Sequence, residues 1–130
     1  WIGEGQMSYG GPNALARGQL ARDIVLKRLK LIGVDCNEVR AELIGVNALH
    51  GSSLSAGADS QPWEVRLRVV ARCADHADAV LIGNEVECLY TNGPYGGGGA
   101  SKSVRQVVAV ASLLLPREHI NTQLYLEDIA

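Results

Sequence analysis

Residues 64–73 alternate between apolar side chains and side chains that are mostly arginine. The apolar positions are Leu67, Val69, Ala71 and Cys73, and the positions between them are Arg66, Arg68, Val70 and Arg72. Side chains of a β-strand point alternately to its two faces, so this period of two predicts a strand with one buried and one largely charged face. The rest of the chain must therefore supply an apolar layer for one face of a sheet.

The other periodic segments follow one another in a definite order. Strands are predicted at 1–9, 38–46 and 104–115, amphipathic helices between Pro12 and Gly33 and over 75–90, and an edge strand over 121–129. Pro12 suits the first turn of its helix, and Gly33 suits the C-terminal cap. The order is β-α-β-β-α-β followed by β. It predicts a single α+β domain over residues 1–130, a ferredoxin-like split β-α-β-β-α-β sandwich with an additional C-terminal edge strand.

Both helices of such a fold lie on one face of an antiparallel sheet, which leaves the other face open to solvent or to a partner. The residues assigned to that open face include Arg40, Glu42, Arg66, Arg68 and Arg72. Alternation of arginine with acid fits a solvated surface, and it equally fits a contact between domains or subunits.

Composition limits the classes of partner. The chain has 130 residues, 47% of them apolar, enough for one core that buries roughly two-thirds of the unfolded surface. Its formal net charge of -2 gives no strong positive field, so we expect no nucleic-acid partner. No apolar run is long enough to span a membrane. Cys36, Cys73 and Cys88 are odd in number and widely spaced, which predicts reduced thiols and a cytoplasmic location.

The stretch from Leu89 to Lys102 joins the second helix to the next strand with far more glycine than a turn requires. Its run Gly96–Gly99 leaves backbone N–H groups free, and ordering it costs conformational entropy. Two interpretations stay open. The stretch is either a disordered surface connection, or it wraps a ligand, a neighbouring domain or another subunit.

Two places in the sequence could hold an anion. One is Gly10, Gly11 and Asn13, at the start of the first helix, where free N–H groups meet the positive end of a helix dipole. The other is Gly96, Gly97, Gly98 and Gly99 followed by Lys102 and Arg105. A tight turn with a helix cap, and a flexible loop with solvated charges, are the more common uses of these patterns.

The sequence indicates no metal, no cofactor and no catalytic group. Cys73, His76 and Cys88 lack the fourth ligand and the close pairing of a zinc site, which favours inert thiols. His50 and His119 have no serine or cysteine partner in view, so we assign no catalytic triad. The chain begins at Trp1 without an initiator methionine, which predicts a piece of a longer protein whose N-terminal domain is its partner.

Several segments, taken in order, resemble a known family. They are Trp1–Arg17, Glu42–Val46, Leu89–Pro94 with Gly96–Gly99, Ser103–Arg105 and Leu115–Glu118. Over nearly its whole length the chain is similar to the acyclic terpene utilisation protein family, AtuA, in the C-terminal part of that family's main domain. The resemblance implies a role in bacterial catabolism of acyclic terpenes such as citronellol and geraniol, whose intermediates are carried as coenzyme A thioesters. It supplies no catalytic residues.

Three classes of function follow. The leading hypothesis is a non-catalytic α+β module that packs its sheet face or its glycine-rich loop against a neighbouring domain or subunit, in a homo-oligomer. The second is part of an enzyme of acyclic terpene catabolism, in which the two glycine elements with Lys102 and Arg105 bind a coenzyme A thioester or another anionic ligand. The third is a metal-binding regulatory domain.

Overall fold

The computed structural model describes residues 1–55 and 61–127. The strands are β1 (Ile2–Gly10), β2 (Cys36–Ile44), β3 (Glu64–Cys73) and β4 (Gly97–Arg105). The helices are α1 (Ala14–Leu31), the short α2 (Gly51–Ser55), α3 (His76–Glu87) and the single turn α4 (Leu89–Asn92), and Arg117–His119 forms a 3-10 turn.

The four strands form one antiparallel sheet in the order β2-β3-β1-β4. Helices α1 and α3 pack on the same face of it, α1 mainly on β3 and α3 mainly on β1 and β4. This arrangement confirms the α+β class expected from the sequence. The narrower ferredoxin-like assignment stays a prediction.

The core lies between the sheet and the two helices. In β3 the buried residues are Val65, Leu67, Val69, Ala71 and Cys73, which confirms the strand and the alternation read from the sequence. Met7 and Tyr9 of β1 face the same core. From the helices, Ala21, Val25 and Leu29 of α1 and Ala79, Ile82 and Val86 of α3 complete it.

Helix α3 lies directly against the backbone of β1 because glycines remove the side chains between them. A Cβ atom on Gly3 would lie 2.0 Å from the carbonyl oxygen of Ala79, and one on Gly5 would lie 2.7 Å from Cβ of Val86. On the helix side, a Cβ on Gly83 would lie 3.1 Å from the carbonyl oxygen of Glu4. The alternating glycines of β1 therefore set the distance between sheet and helix.

The two helices are also joined to each other. Arg28 of α1 donates hydrogen bonds to both carboxylate oxygens of Glu85 of α3, at 2.5 and 3.2 Å. Glu85 is buried, so its charge needs this partner. At the end of α1, Gly33 adopts a φ of 72°, which confirms the positive-φ cap expected there.

The position of the last strand differs from the sequence expectation. The predicted strand was 104–115, whereas β4 spans Gly97–Arg105 and so includes most of the glycine run. Ile2, the first residue of β1, pairs with Arg105. Residues 106–115, which made up most of the predicted strand, form neither strand nor helix.

The predicted C-terminal edge strand over 121–129 is also wrong as far as the structure describes it. Residues 121–127 form no strand and are exposed, and 128–129 lie outside the described residues. Leu124 and Leu126 do alternate with polar neighbours, but a strand forms only where a second strand offers hydrogen bonds. In the loop expected over 47–62, the short α2 is the described secondary structure, and residues 56–60 lie outside the described part.

We predict that Gly3→Ala lowers the free energy of unfolding by about 3 kcal/mol, because the new methyl group would overlap the backbone of Ala79 and force α3 off the sheet. Chemical denaturation measures this directly. Gly10→Ala is the matched control, because its Cβ would meet its nearest atom only at 4.0 Å. A loss of stability for Gly3→Ala no larger than for the control would contradict the close contact.

Candidate functional site

The structure places Gly10, Gly11 and Asn13 in a tight turn between β1 and α1. Gly11 and Asn13 have φ angles of 81° and 59°. The Gly11 N–H donates to the carbonyl oxygen of Trp63 at 2.8 Å. Asn13 is the residue before the first turn of α1, and its side chain makes no capping hydrogen bond. The turn therefore leaves the positive end of the α1 dipole without a side-chain partner.

The start of the glycine run lies beside this turn. Gly97 pairs with Tyr9, the residue before Gly10, across the β1–β4 ladder. A Cβ on Gly97 would lie 2.7 Å from Sδ of Met7, and Gly96 has a φ of 73°. The structure thus brings the two glycine elements of the sequence together and orders the second one as a strand.

Arg17 joins the two elements. Its guanidinium donates to the carbonyl oxygens of Tyr95 and Pro12, each at 2.9 Å, and also to that of Gly10. The Cζ atom lies 4.7 Å from the centre of the Tyr95 ring, a cation–π distance. We call Gly10–Asn13, Arg17 and Tyr95–Gly97 the Arg17 junction.

Arg17 carries its charge at a buried position. Its exposed fraction is only 7%, and its Nε is buried without a hydrogen-bond acceptor. Among residues 1–55 and 61–127, no carboxylate forms an ion pair with it. Sequence reasoning missed this residue. The available signal was its position on the same helical stripe as the buried Ala21 and Val25, since residues four apart share a face.

Lys102 and Arg105 lie away from the Arg17 junction. Lys102 pairs with Gly5 and donates from Nζ to Oδ1 of Asn84, at 3.0 Å, and to the carboxylate of Glu87. Arg105 pairs with Ile2 at the opposite end of β1. At about 3.3 Å per residue, Arg105 is roughly 26 Å along β4 from Gly97. The structure therefore separates these two cations from the Arg17 junction, although Lys102 is only three residues from Gly99 in the same strand.

The sheet face opposite α1 and α3, which we call the open face, carries a polar network centred on two arginines. Arg66 donates to Oε1 of Gln6 at 2.6 Å, to the hydroxyls of Ser8 and Ser101, and to the Gly99 carbonyl. Arg68 donates to Glu4 at 3.1 and 3.3 Å and to Glu42 at 2.9 Å. The network links all four strands, and within it the charge of Arg68 is paired with Glu4 and Glu42 while Arg66 has neutral partners.

A second feature lies beyond the sheet edge. Residues 106–115, which we call the apolar segment, read QVVAVASLLL and contain no charge. They form neither helix nor strand. Its large side chains are at least 54% exposed, namely Val107, Val108, Val110, Leu113, Leu114 and Leu115. Exposed apolar runs of this length are typical of surfaces that contact another protein.

The sequence model described as acyclic terpene utilisation family protein AtuA matches residues 1–126. The chain belongs to this family. Membership relates it to acyclic terpene utilisation and confirms the resemblance drawn from the sequence. No curated protein and no solved structure matches it.

The segments that carried the AtuA resemblance have clear structural roles. Trp1–Arg17 supplies β1 with its spacing glycines, the turn into α1, and Arg17 itself. Leu89–Pro94 leads into Tyr95, whose carbonyl Arg17 binds. Both halves of the Arg17 junction thus come from segments by which the AtuA family was recognised.

Two cysteines lie side by side near one end of the sheet. Cys36 and Cys73 pair across β2 and β3, and both are free thiols. Burial raises the pKa of each thiol above its usual value. A raised thiol pKa leaves little thiolate at neutral pH, so both side chains behave as small apolar groups.

Among residues 1–55 and 61–127, no three His, Cys, Asp or Glu side chains converge as metal ligands would. His76, considered as a ligand from the sequence, packs edge-on against the Trp1 ring at 4.7 Å. The helices that the structure describes include none with the length and hydropathy needed to cross a bilayer.

The ion pair between Arg68 and Glu4 on the open face makes the stability of the protein depend on pH. The hydrogen bond from Arg68 lowers the pKa of Glu4 below its ordinary value of 4.5. A lowered carboxyl pKa contributes stability that is complete above the unfolded-state value and is lost as the pH falls through the folded-state value. The folded sheet therefore loses the benefit of this ion pair in moderately acidic solution.

We predict that Glu4→Gln flattens the acid dependence of the melting temperature. Between about pH 6 and about pH 3, the melting temperature of the wild type should fall a few degrees more than that of the variant. The reason is that only the wild type has a carboxylate at position 4 that becomes protonated. Arg68→Met should flatten the curve in the same way, since it removes the donor. Parallel melting curves for wild type and Glu4→Gln would contradict the assignment.

Proposed function

We propose that this AtuA-family chain is a packing module that joins a neighbouring domain or subunit through the apolar segment and the free edge of β4. The exposure of the apolar segment carries the proposal. Burying a Val or Leu side chain contributes about 1.5–3 kcal/mol, so six such side chains left in water represent a large driving force for association.

The position of β4 at the edge of the sheet is a second observation in favour of this contact surface. β4 is the last strand in the order β2-β3-β1-β4, so one side of it has no neighbouring strand among the described residues. Two of its backbone groups have side-chain partners: the Ala100 N–H donates to the Tyr90 hydroxyl, and the Gly99 carbonyl accepts from Arg66. An exposed strand edge next to an apolar run favours pairing with another strand, and proteins usually cover such edges. The segment also contains three valines, which favour extended structure.

The open face is less suited to this role, although its polar character also fits a contact. Arg66 and Arg68 already spend their donors on groups of the same sheet, and Glu4 and Glu42 already have Arg68. Covering paired charges removes their hydration without offering new partners. The side chains that gain most from a partner are therefore those of the apolar segment.

The proposal also includes a cellular compartment and the neighbours that the module contacts. The free thiols of Cys36, Cys73 and Cys88 support a reducing compartment, and we place the module in the cytoplasm. A preceding N-terminal domain and a further subunit are the two neighbours that the segment could contact.

We predict that the backbone amides of residues 107–115 are protected from hydrogen exchange in the protein purified natively from its source. Val110→Asp should reduce that protection at least tenfold, because a buried aspartate would remain charged in an apolar contact. Leu49→Asp is the matched control, since Leu49 is 86% exposed and Val110 is 91% exposed in a single copy. Free-peptide exchange rates over 107–115 in the wild type would refute the packing role.

A second function, anion binding at the Arg17 junction, is favoured by the buried charge of Arg17. That charge has carbonyl acceptors, and no described carboxylate balances it. The uncapped start of α1 adds a second positive contribution at the same turn. A phosphate group of a coenzyme A thioester, the ligand class associated with the family's pathway, is the anion we propose there.

Thermal denaturation with increasing coenzyme A tests this second function. A ligand at about one hundred times its Kd should stabilise the fold by about 2.7 kcal/mol, and Arg17→Met should abolish the increment even though its starting stability is lower. Lys102→Met should keep the increment, because Lys102 lies on another part of β4. No stabilisation of the wild type, or an equal increment in Arg17→Met, would count against the site.

A further inference from the structure

We propose that Cys36 and Cys73 form a reversible disulfide that clamps β2 to β3 when the protein meets a peroxide. The two residues face each other across the β2–β3 ladder, and both are free thiols in the structure. The bond would attach β2, a strand at the edge of the sheet, covalently to its neighbour. This clamp is independent of the contacts made by the apolar segment.

The backbone hydrogen bonds of Cys73 place the pair at a suitable position in the ladder. The Cys73 N–H donates to the carbonyl oxygen of Trp1 at 2.9 Å, and the Cys73 carbonyl accepts from the Trp1 nitrogen at 2.8 Å. Both backbone groups of Cys73 therefore point toward β1 and away from β2. Opposite residues at such a non-hydrogen-bonded position have Cα atoms about 4.5 Å apart. Disulfides span Cα separations of about 4.4–6.8 Å, so the backbone permits the bond.

The side chains of both cysteines lie on the helix face of the sheet. Cys73 is buried in the core, and Cys36 is partly buried against it. Burial raises the pKa of Cys73 above its usual value, and the neighbouring Cys36 thiol adds to that rise. This influence of one thiol on the other agrees with side chains that lie next to each other.

The end of β2 that carries Cys36 is held by an interrupted ladder. Among the described residues, β2 has a neighbouring strand on one side only. Its register with β3 shifts between Cys36 and Glu38, which leaves Asn37 as the extra residue of a bulge. A bulge disrupts the hydrogen bonds around it. Cys36 can therefore approach Cys73 without displacing the rest of the strand, and the bond would secure the interrupted end.

A small oxidant can reach Cys36 from solvent. Cys36 lines a cavity of about 150 Å³ between α1 and β2, together with Leu29, Lys30 and Val34. Lys30 is exposed, so the cavity opens at the surface. This space is large enough for a molecule slightly larger than water, such as hydrogen peroxide. Because Cys73 is buried, Cys36 is the thiol that the peroxide meets first.

One hydrogen peroxide molecule balances the reaction. The Cys36 sulfur attacks the peroxide, an S–O bond forms, the O–O bond breaks, and the thiol proton leaves with the departing hydroxide as water. The Cys73 sulfur then attacks this sulfenic acid, an S–S bond forms, the S–O bond breaks, and a second water leaves. Two thiols are oxidised and the peroxide is reduced to two waters.

The surroundings of the pair make the clamp slow to close and able to reopen. Burial raises the pKa of both thiols, so little of the reactive thiolate is present at neutral pH. The pair therefore responds to sustained oxidation and not to a brief exposure. Disulfides in reducing compartments are usually transient, and a small thiol returns the pair to its reduced form by exchange.

Peptide mapping of the folded protein after treatment with hydrogen peroxide tests the pairing. Cys88→Ser leaves Cys36 and Cys73 as the two thiols of the chain, and trypsin should release residues 31–40 linked to the peptide that begins at Cys73. Cys36→Ser is the matched control. It also keeps two thiols, but Cys88 lies about 18 Å along α3 from the end near Cys73. We expect at least tenfold more intramolecular disulfide in Cys88→Ser than in the control.

Thermal denaturation of the same oxidised Cys88→Ser chain tests the clamp. Its melting temperature should be about 10 °C above that of the reduced chain, because the bond closes a long loop in the unfolded state, and dithiothreitol should remove the increase. No 36–73 link, or no more disulfide than in Cys36→Ser, would overturn the pairing. A 36–73 link that leaves the melting temperature unchanged or lowers it would overturn the clamp.

Discussion

The close contact between α3 and β1 is the constraint on which the rest of the structure depends. Gly3 and Gly5 allow α3 to contact the backbone of β1 directly, and Gly83 allows the same close approach from the helix side. β1 lies in the middle of the sheet, with β3 on one side and β4 on the other. Helix α3 also packs against β4, so the same close contact positions the central strand and the edge strand that carries the glycine run.

The protein stabilises its arginines in two different ways. On the open face, Arg66 and Arg68 have carboxylate, amide and hydroxyl partners drawn from all four strands, so their charges are shared and remain close to water. Arg17 is buried and depends on carbonyl groups from two separated loops. Carbonyl dipoles stabilise a guanidinium without cancelling its charge. This difference is the reason why anion binding is proposed at the Arg17 junction and not on the open face, whose arginines are more numerous but lie beside Glu4, Glu38 and Glu42.

The periodic patterns of apolar side chains predicted the strand and the helices that pack through those side chains. The alternation over 64–73 and the apolar stripes of both helices gave β3, α1 and α3 close to their observed bounds. β4 was misplaced because glycines pair through their backbone and leave no side-chain pattern, while 106–115 has the composition of a strand but forms none. The candidate glycines were found from their conformational freedom. Arg17 was missed because its role depends on a carbonyl at Tyr95, which only the folded chain brings near.

The pairing of β1 with β4 joins segments that are far apart along the chain, since Gly5 faces Lys102 and Ile2 faces Arg105. Contacts so distant in sequence slow folding, because a long loop must close before they form. We therefore expect this ladder to form later than the ladder between β2 and β3, whose strands are much closer in the sequence.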